Sequence, residues 1–181
     1  MDKKTFTTKM YEVCATDELR PVMMCVHFKQ GFAYASDGHM LVKQSLEYQT
    51  VINPEKLEGK SLHKDNYKAI MGFEFAECND DGVTCSDSDG RTAFYDYFDI
   101  GTQTIPDFDT VLRPIGQKSV EFIGVNPEYL AKIGKAMHVP SHTLRLQFQG
   151  VDKSILIDTP EIENQWALLM PCFIDDSLFS K

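Results

Sequence analysis

The chain has 181 residues, 43% of them hydrophobic and 25% charged, with a formal net charge of −9. That length and apolar content can bury one large or two small cores, which excludes a disordered or fibrous chain. No apolar run is long enough to span a bilayer, and Met1-Asp2-Lys3-Lys4 leads into no signal-peptide core, so a cytoplasmic protein without membrane contact is expected.

Taken in chain order, the elements repeat. Phe6, Met10 and Val13 lie at helical spacing, and 22–28, 32–35 and 39–46 then read as strands, separated by Lys29-Gln30-Gly31 and Asp37-Gly38. Ile52-Asn53-Pro54-Glu55-Lys56-Leu57 is a helix-start signal: Asn caps, Pro is preformed at the first helical position, and Glu complements the positive dipole end. The helix expected between Glu55 and Ile70 places Lys56, Lys60, Lys64 and Lys68 every four residues, and Gly59 weakens it. Period-two strands follow around 73–77, 83–85 and 92–98, with the turn Asn79-Asp80-Asp81-Gly82 between the first two.

Val125-Asn126-Pro127-Glu128-Tyr129-Leu130 repeats the helix start. Leu130, Ile133 and Met137 form its apolar stripe, with Lys132 and Lys135 on the opposite side. Strands are expected at 144–148, 154–157 and 166–170. A helix followed by a strand meander, used three times, predicts an α+β architecture of repeated units rather than a catalytic cleft fold.

Charge is unevenly spread. From Glu74 to Asp109 there are ten acidic residues and one basic one, Arg91, so this segment alone carries −9 and the remainder is balanced. Acidic strands combined with locally basic helices fit a ring with a basic lining, and equally fit ordinary solvated loops. The five cysteines (Cys14, Cys25, Cys78, Cys85, Cys172) are odd in number and lack CxxC spacing, as expected of reduced thiols.

No cofactor, metal or catalytic signature emerges. Asp87-Ser88-Asp89-Gly90 lacks the closing Glu of a calcium loop, and the five histidines have no metal spacing with the cysteines. Ser36, Asp37 and His39 are adjacent in sequence, but a tight hairpin rarely supplies triad geometry. The chain is expected not to be an enzyme.

Three separated stretches, 35–42 (Ala-Ser-Asp-Gly-His-Met-Leu-Val), 105–114 (Ile-Pro-Asp-Phe-Asp-Thr-Val-Leu-Arg-Pro) and 168–171 (Leu-Leu-Met-Pro), resemble signatures of the bacterial DNA polymerase sliding clamp, the beta subunit, in the clamp's order. The resemblance covers most of the chain. It implies a DNA-clamp-like domain over 1–114, in two halves at about 1–48 and 49–114, and a third half with a C-terminal tail over 115–181. The clamp's first domain and the opening half of its last domain have no counterpart.

It also implies a peptide-binding pocket formed by Met23 on the first strand, Ser36, Gly38, His39, Met40 and Leu41 on the hairpin, Pro106 and Val111, and Leu168 and Met170. The family usually has Arg where Met40 stands. Lys60, Lys64, Lys132 and Lys135 would face DNA. The implied role is a processivity factor, in the style of a phage or mobile element, that recruits DNA polymerase or other clamp-motif proteins. It would hold double-stranded DNA without sequence specificity, as a homo-oligomer. The alternative is a reduced adaptor or competitor that binds clamp-motif peptides without encircling DNA. Asp175-Asp176-Ser177-Leu178-Phe179 partly resembles the end of a clamp-binding peptide, lacking its glutamine and first leucine; docking beside the pocket is the alternative to a frayed polar terminus.

Overall fold

The computed structural model describes residues 2–111, 116 and 118–174. The expectation for Asp175–Phe179, and the stretch Leu112–Pro114 of the second signature, fall outside the described residues.

Three meanders make up the sheets. β1 (Cys25–Lys29), β2 (Phe32–Ser36) and β3 (Met40–Ser45) form the first. β4 (Ser61–His63) and α1 (Lys64–Ile70) precede the second, β5 (Phe75–Cys78), β6 (Gly82–Ser86) and β7 (Thr92–Asp96). The short helix α2 (Phe108–Val111) and α3 (Pro127–Ala136) lead to β8 (Arg145–Gln147), β9 (Ile155–Thr159) and β10 (Ile162–Leu169). The expected α+β class of helices on antiparallel meanders is what the chain adopts.

The first and third meanders fuse. Their strands lie in the order β4-β1-β2-β3-β10-β9-β8, while β5-β6-β7 form a separate three-stranded sheet. The seam between β3 and β10 is antiparallel, pairing Gln165 with Gln44 through to Leu169 with Met40.

Side chains at directly opposed positions face the same way, so Gln44 and Gln165 meet inside the protein. Gln44 Nε2 donates to Gln165 Oε1 at 2.6 Å. Thr8 donates to Gln44 Oε1, and Gln165 Nε2 donates to the His138 carbonyl and to Thr159. The buried glutamines Gln44, Gln49 and Gln165 are thereby satisfied, and the network pins the register of the seam.

Alternation sorts the large sheet. Val26, Phe28, Ala33, Ala35, Met40, Val42, Ile155, Ile157, Ala167 and Leu169 point inward, where Ile133, Ala136, Met137, Tyr67 and Ile70 of the helices cover them. His27, Tyr34, Leu41, Lys43, Leu168 and Trp166 alternate with these and occupy the other, outer face.

Two helix expectations need correction. The stretch that carries Phe6, Met10 and Val13 has only one turn of 3-10 helix, Met10–Glu12. Thr7 and Thr8 spend their hydroxyls on the Tyr48 carbonyl and Gln44, the local competition that disfavours helix. Likewise Asn53 adopts a left-handed φ of 56° and makes no cap; its amide reaches Glu77 instead. Pro54–Leu57 is one 3-10 turn, and Gly59 (φ +72°) turns the chain into β4. Lys56 and Lys60 therefore do not share a helix with Lys64 and Lys68. The second copy of the signal behaves as expected: Asn126 Oδ1 accepts from Glu128 N at 2.9 Å and Pro127 opens α3.

Candidate functional site

The expected pocket residues divide among several settings. Leu41 and Leu168 sit side by side across the seam, paired in register, and both point outward. With Tyr34 and Phe108 they make a small apolar cluster separate from the main core, flanked by Phe32, Ile105, Leu156 and Trp166. Leu41 and Leu168 are 5% and 6% exposed within this cluster. Pro106 and Val111, on either side of Phe108, are exposed, as is Met170 at the end of β10.

Other members do not join them. Met40 is one residue from Leu41 and so points the opposite way, into the main core. Met23 lies not on the first strand but in the 3-10 turn Pro21–Met24 before it, and is half-buried. Ser36 is consumed by its own hairpin: Oγ donates to the Met40 carbonyl at 2.8 Å and accepts from Gly38 N at 3.1 Å. Asp37 Oδ1 accepts from the N–H groups of His39 and Met40, and Gly38 takes φ +93°, which a side chain would resist. This is a self-satisfied turn. Its exposed tip residue, His39, stacks on Tyr129 of α3 at 5.7 Å, linking the first and third units.

A charged group missed by sequence reasoning sits on the same face. Lys43, only 7% exposed, follows Leu41 in the outward register of β3. Its ammonium lies 4.2 Å from the Phe32 ring centre, 4.7 Å from Trp166 and 5.2 Å from Tyr34. Its carboxylate partner is Asp109 of α2, at 2.6 Å, which also accepts from the Tyr34 hydroxyl. Burial, and then the Asp109 carboxylate, raise the Tyr34 pKa, so the phenol stays a donor. Phe108 stacks on Tyr34 at 5.6 Å and approaches His27 at 6.1 Å. Segment 105–111 is thus held on the outer face by one aromatic plug and one ion pair. A lysine reads from sequence as solvated, and its partner is 66 positions away; no local signal points to the pairing.

Two recesses lie to either side of this floor. One of ≈ 530 Å³ is lined by Phe122, Val151, Met170 and Phe173 among others, and one of ≈ 420 Å³ by Arg145, Asp158 and Trp166. No group of three or more His, Cys, Asp or Glu residues that could hold a metal ion occurs among the described residues. Burial pushes the Cys25 and Cys78 thiols up to about 12 and Cys85 up to about 11, making them inert packing groups. No described helix is long and apolar enough to cross a membrane.

The four lysines expected to face DNA are occupied. Lys64 donates to the Ala15 carbonyl at 3.0 Å and Lys135 pairs with Glu12 at 2.9 Å. Lys60 lies over Tyr97 and Lys132 over Tyr129. Lys68 lies over Tyr11 as Lys132 does over Tyr129, and both Lys9 and Lys68 are exposed.

A three-unit arrangement of helices on one side and meanders on the other is a clamp architecture, and comparison with solved structures bears this out. The beta subunit of DNA polymerase III from Borrelia burgdorferi superimposes with a TM-score of 0.68 at 11% identity, covering 97% of this chain and 64% of that one. Caulobacter crescentus pol III beta gives 0.64 at 13% identity, covering 93% and 62%. The DnaN sliding clamp of Bartonella birtlesii, solved with griselimycin bound, gives 0.63 at 15% identity, covering 92% and 63%. The chain therefore has the fold of bacterial DNA sliding clamps while spanning less than two thirds of their length. Its sequence matches no protein-family model and no curated protein.

Proposed function

We propose that this protein is a sliding-clamp-like replication or repair factor that recruits partner proteins by binding their short peptides on the outer face of the seven-stranded sheet. The reading makes it non-enzymatic: its work is tethering. The observation that supports it is the outward-facing pair Leu41 and Leu168, in register across the seam of a clamp fold, with Pro106, Val111 and Met170 exposed on the segments that follow Ile105 and Leu169. Apolar walls with few polar groups suit a Leu-Phe pair from an extended peptide. His39 and Met170 stand at one end, where the Met170 N–H donates to the His39 carbonyl.

A fluorescent peptide carrying a Gln-Leu-x-Leu-Phe-like motif tests it. The expected affinity is about micromolar, roughly −8 kcal/mol. Leu168→Asp would abolish binding by placing a charge in the floor. Unchanged affinity in a folded Leu168→Asp protein would remove the site.

The internal commitments of Lys64 and Lys135 favour a second reading, an adaptor or competitor that binds clamp-motif peptides without surrounding DNA. Three units do not enclose a duplex, so the DNA-bound reading requires self-association and the adaptor reading does not.

A further inference from the structure

We propose that Lys43 and Asp109 are positioning residues for peptide binding: their ion pair fixes segment 105–111 on the sheet and so holds Pro106 and Val111 in place for an incoming peptide. The inference rests on the peptide-site reading above and adds to it the contact that prepares the site.

Segment 105–111 is too short to order itself. Its helix α2 spans four residues, about one turn, well below the length at which a helix stands alone in water. Order must come from the sheet. Ile105 and Phe108 pack on the apolar cluster, and Phe108 stacks on Tyr34 at 5.6 Å. Apolar packing is non-directional and by itself leaves the segment free to slide. Asp109 supplies direction: its carboxylate accepts from Lys43 Nζ at 2.6 Å and from the Tyr34 hydroxyl at 3.2 Å.

The lysine is a costly way to fill its position. Lys43 is 7% exposed, and its ammonium lies among Phe32, Tyr34 and Trp166. A methionine would occupy that space without burying a charge. Buried ion pairs contribute little net stability against an apolar replacement, and their best use is to select one arrangement. Here the pair selects the placement of the segment that carries exposed Pro106 and Val111. A wall already in place spares the peptide the entropy of ordering it.

The experiment compares the wild-type chain with Lys43→Met, Asp109→Asn and the double variant. Lys43→Met takes the charge out of the aromatic cage, and the Asp109 side chain, 42% exposed, stays hydrated without its partner. Urea unfolding, hydrogen exchange of 105–111 and titration with a fluorescent Gln-Leu-x-Leu-Phe-like peptide are recorded for each.

The expected result in Lys43→Met is an unchanged urea midpoint, faster exchange confined to 105–111, and about tenfold weaker peptide binding through faster dissociation. The double variant should bind as Lys43→Met does, because both changes break one contact. Wild-type affinity in Lys43→Met and Asp109→Asn overturns the positioning role while leaving the peptide site intact. Weaker binding with a lowered urea midpoint and faster exchange throughout the chain makes the pair merely structural and also overturns it. Absence of peptide binding to the wild type overturns the peptide-site reading, and this inference with it.

Discussion

At the residue scale, the informative positions are those where one side chain serves two neighbours. His27 is buried under Phe108 with its ring nitrogens at 2.8 Å from the Val22 carbonyl and the Ser61 hydroxyl. The carbonyl can only accept, so Nε2 carries the proton and Nδ1 accepts from Ser61 in the neutral imidazole. Burial holds the His27 pKa below its ordinary 6.5. The unfolded chain therefore binds this proton at a higher pH than the folded one. The contribution to stability is complete above about pH 6.5 and is lost as pH falls below it. Urea unfolding at pH 7.5 and pH 5.5 should show weaker stability at the lower pH, and His27→Gln should flatten that difference. An unaltered difference in the variant would assign it to other groups.

The same scale shows what was legible. That Leu41 and Leu168 share one face was readable from strand alternation, which places both outward. The hairpin was read as a contiguous patch, and alternation contradicts this for Met40, which packs inward. The Lys43–Asp109 pair was not legible. Burial of a lysine depends on three rings from two strands and a carboxylate from a distant segment, none of which a local pattern encodes.

At the scale of elements, the decisive feature is the seam where β3 meets β10. Sequence periodicity made the strands of both meanders visible but could not say that the first unit pairs directly with the third. Register across that seam is written in Gln44 and Gln165, which look like surface residues until their pairing is known. Gln165→Leu would leave the Gln44 amide and the His138 backbone groups without partners in the interior. The expected cost is about 2–4 kcal/mol in urea unfolding, against roughly 0.5 kcal/mol or less for exposed Gln103→Leu. A seam variant as stable as the surface control would show that the network contributes little. The two Asn-Pro-Glu starts teach a related lesson: the motif caps α3 at Asn126, but at Asn53 a left-handed turn diverts the same residues into a 3-10 turn and a strand.

At the scale of the whole molecule, meanders form one layer and the helices the other, and the acidic stretch from Glu74 to Asp109 runs through the second meander into α2. Lys64 and Lys135 on the helical layer are drawn into local contacts, and under the proposed function contact with DNA would be electrostatic, without sequence reading, and would weaken steeply with salt. The clamp fold was legible because three separated motifs occur in order within matching strands; how the chains assemble was not, since the contacts that would close a ring lie between molecules. The account turns on whether assembled chains surround DNA. Molar mass in solution, measured together with retention on covalently closed circular DNA before and after linearisation, tests this most directly. The account predicts a self-associated species retained on circles and released when they are cut. A monomer at high concentration, or equal retention on circular and linear DNA, would contradict it.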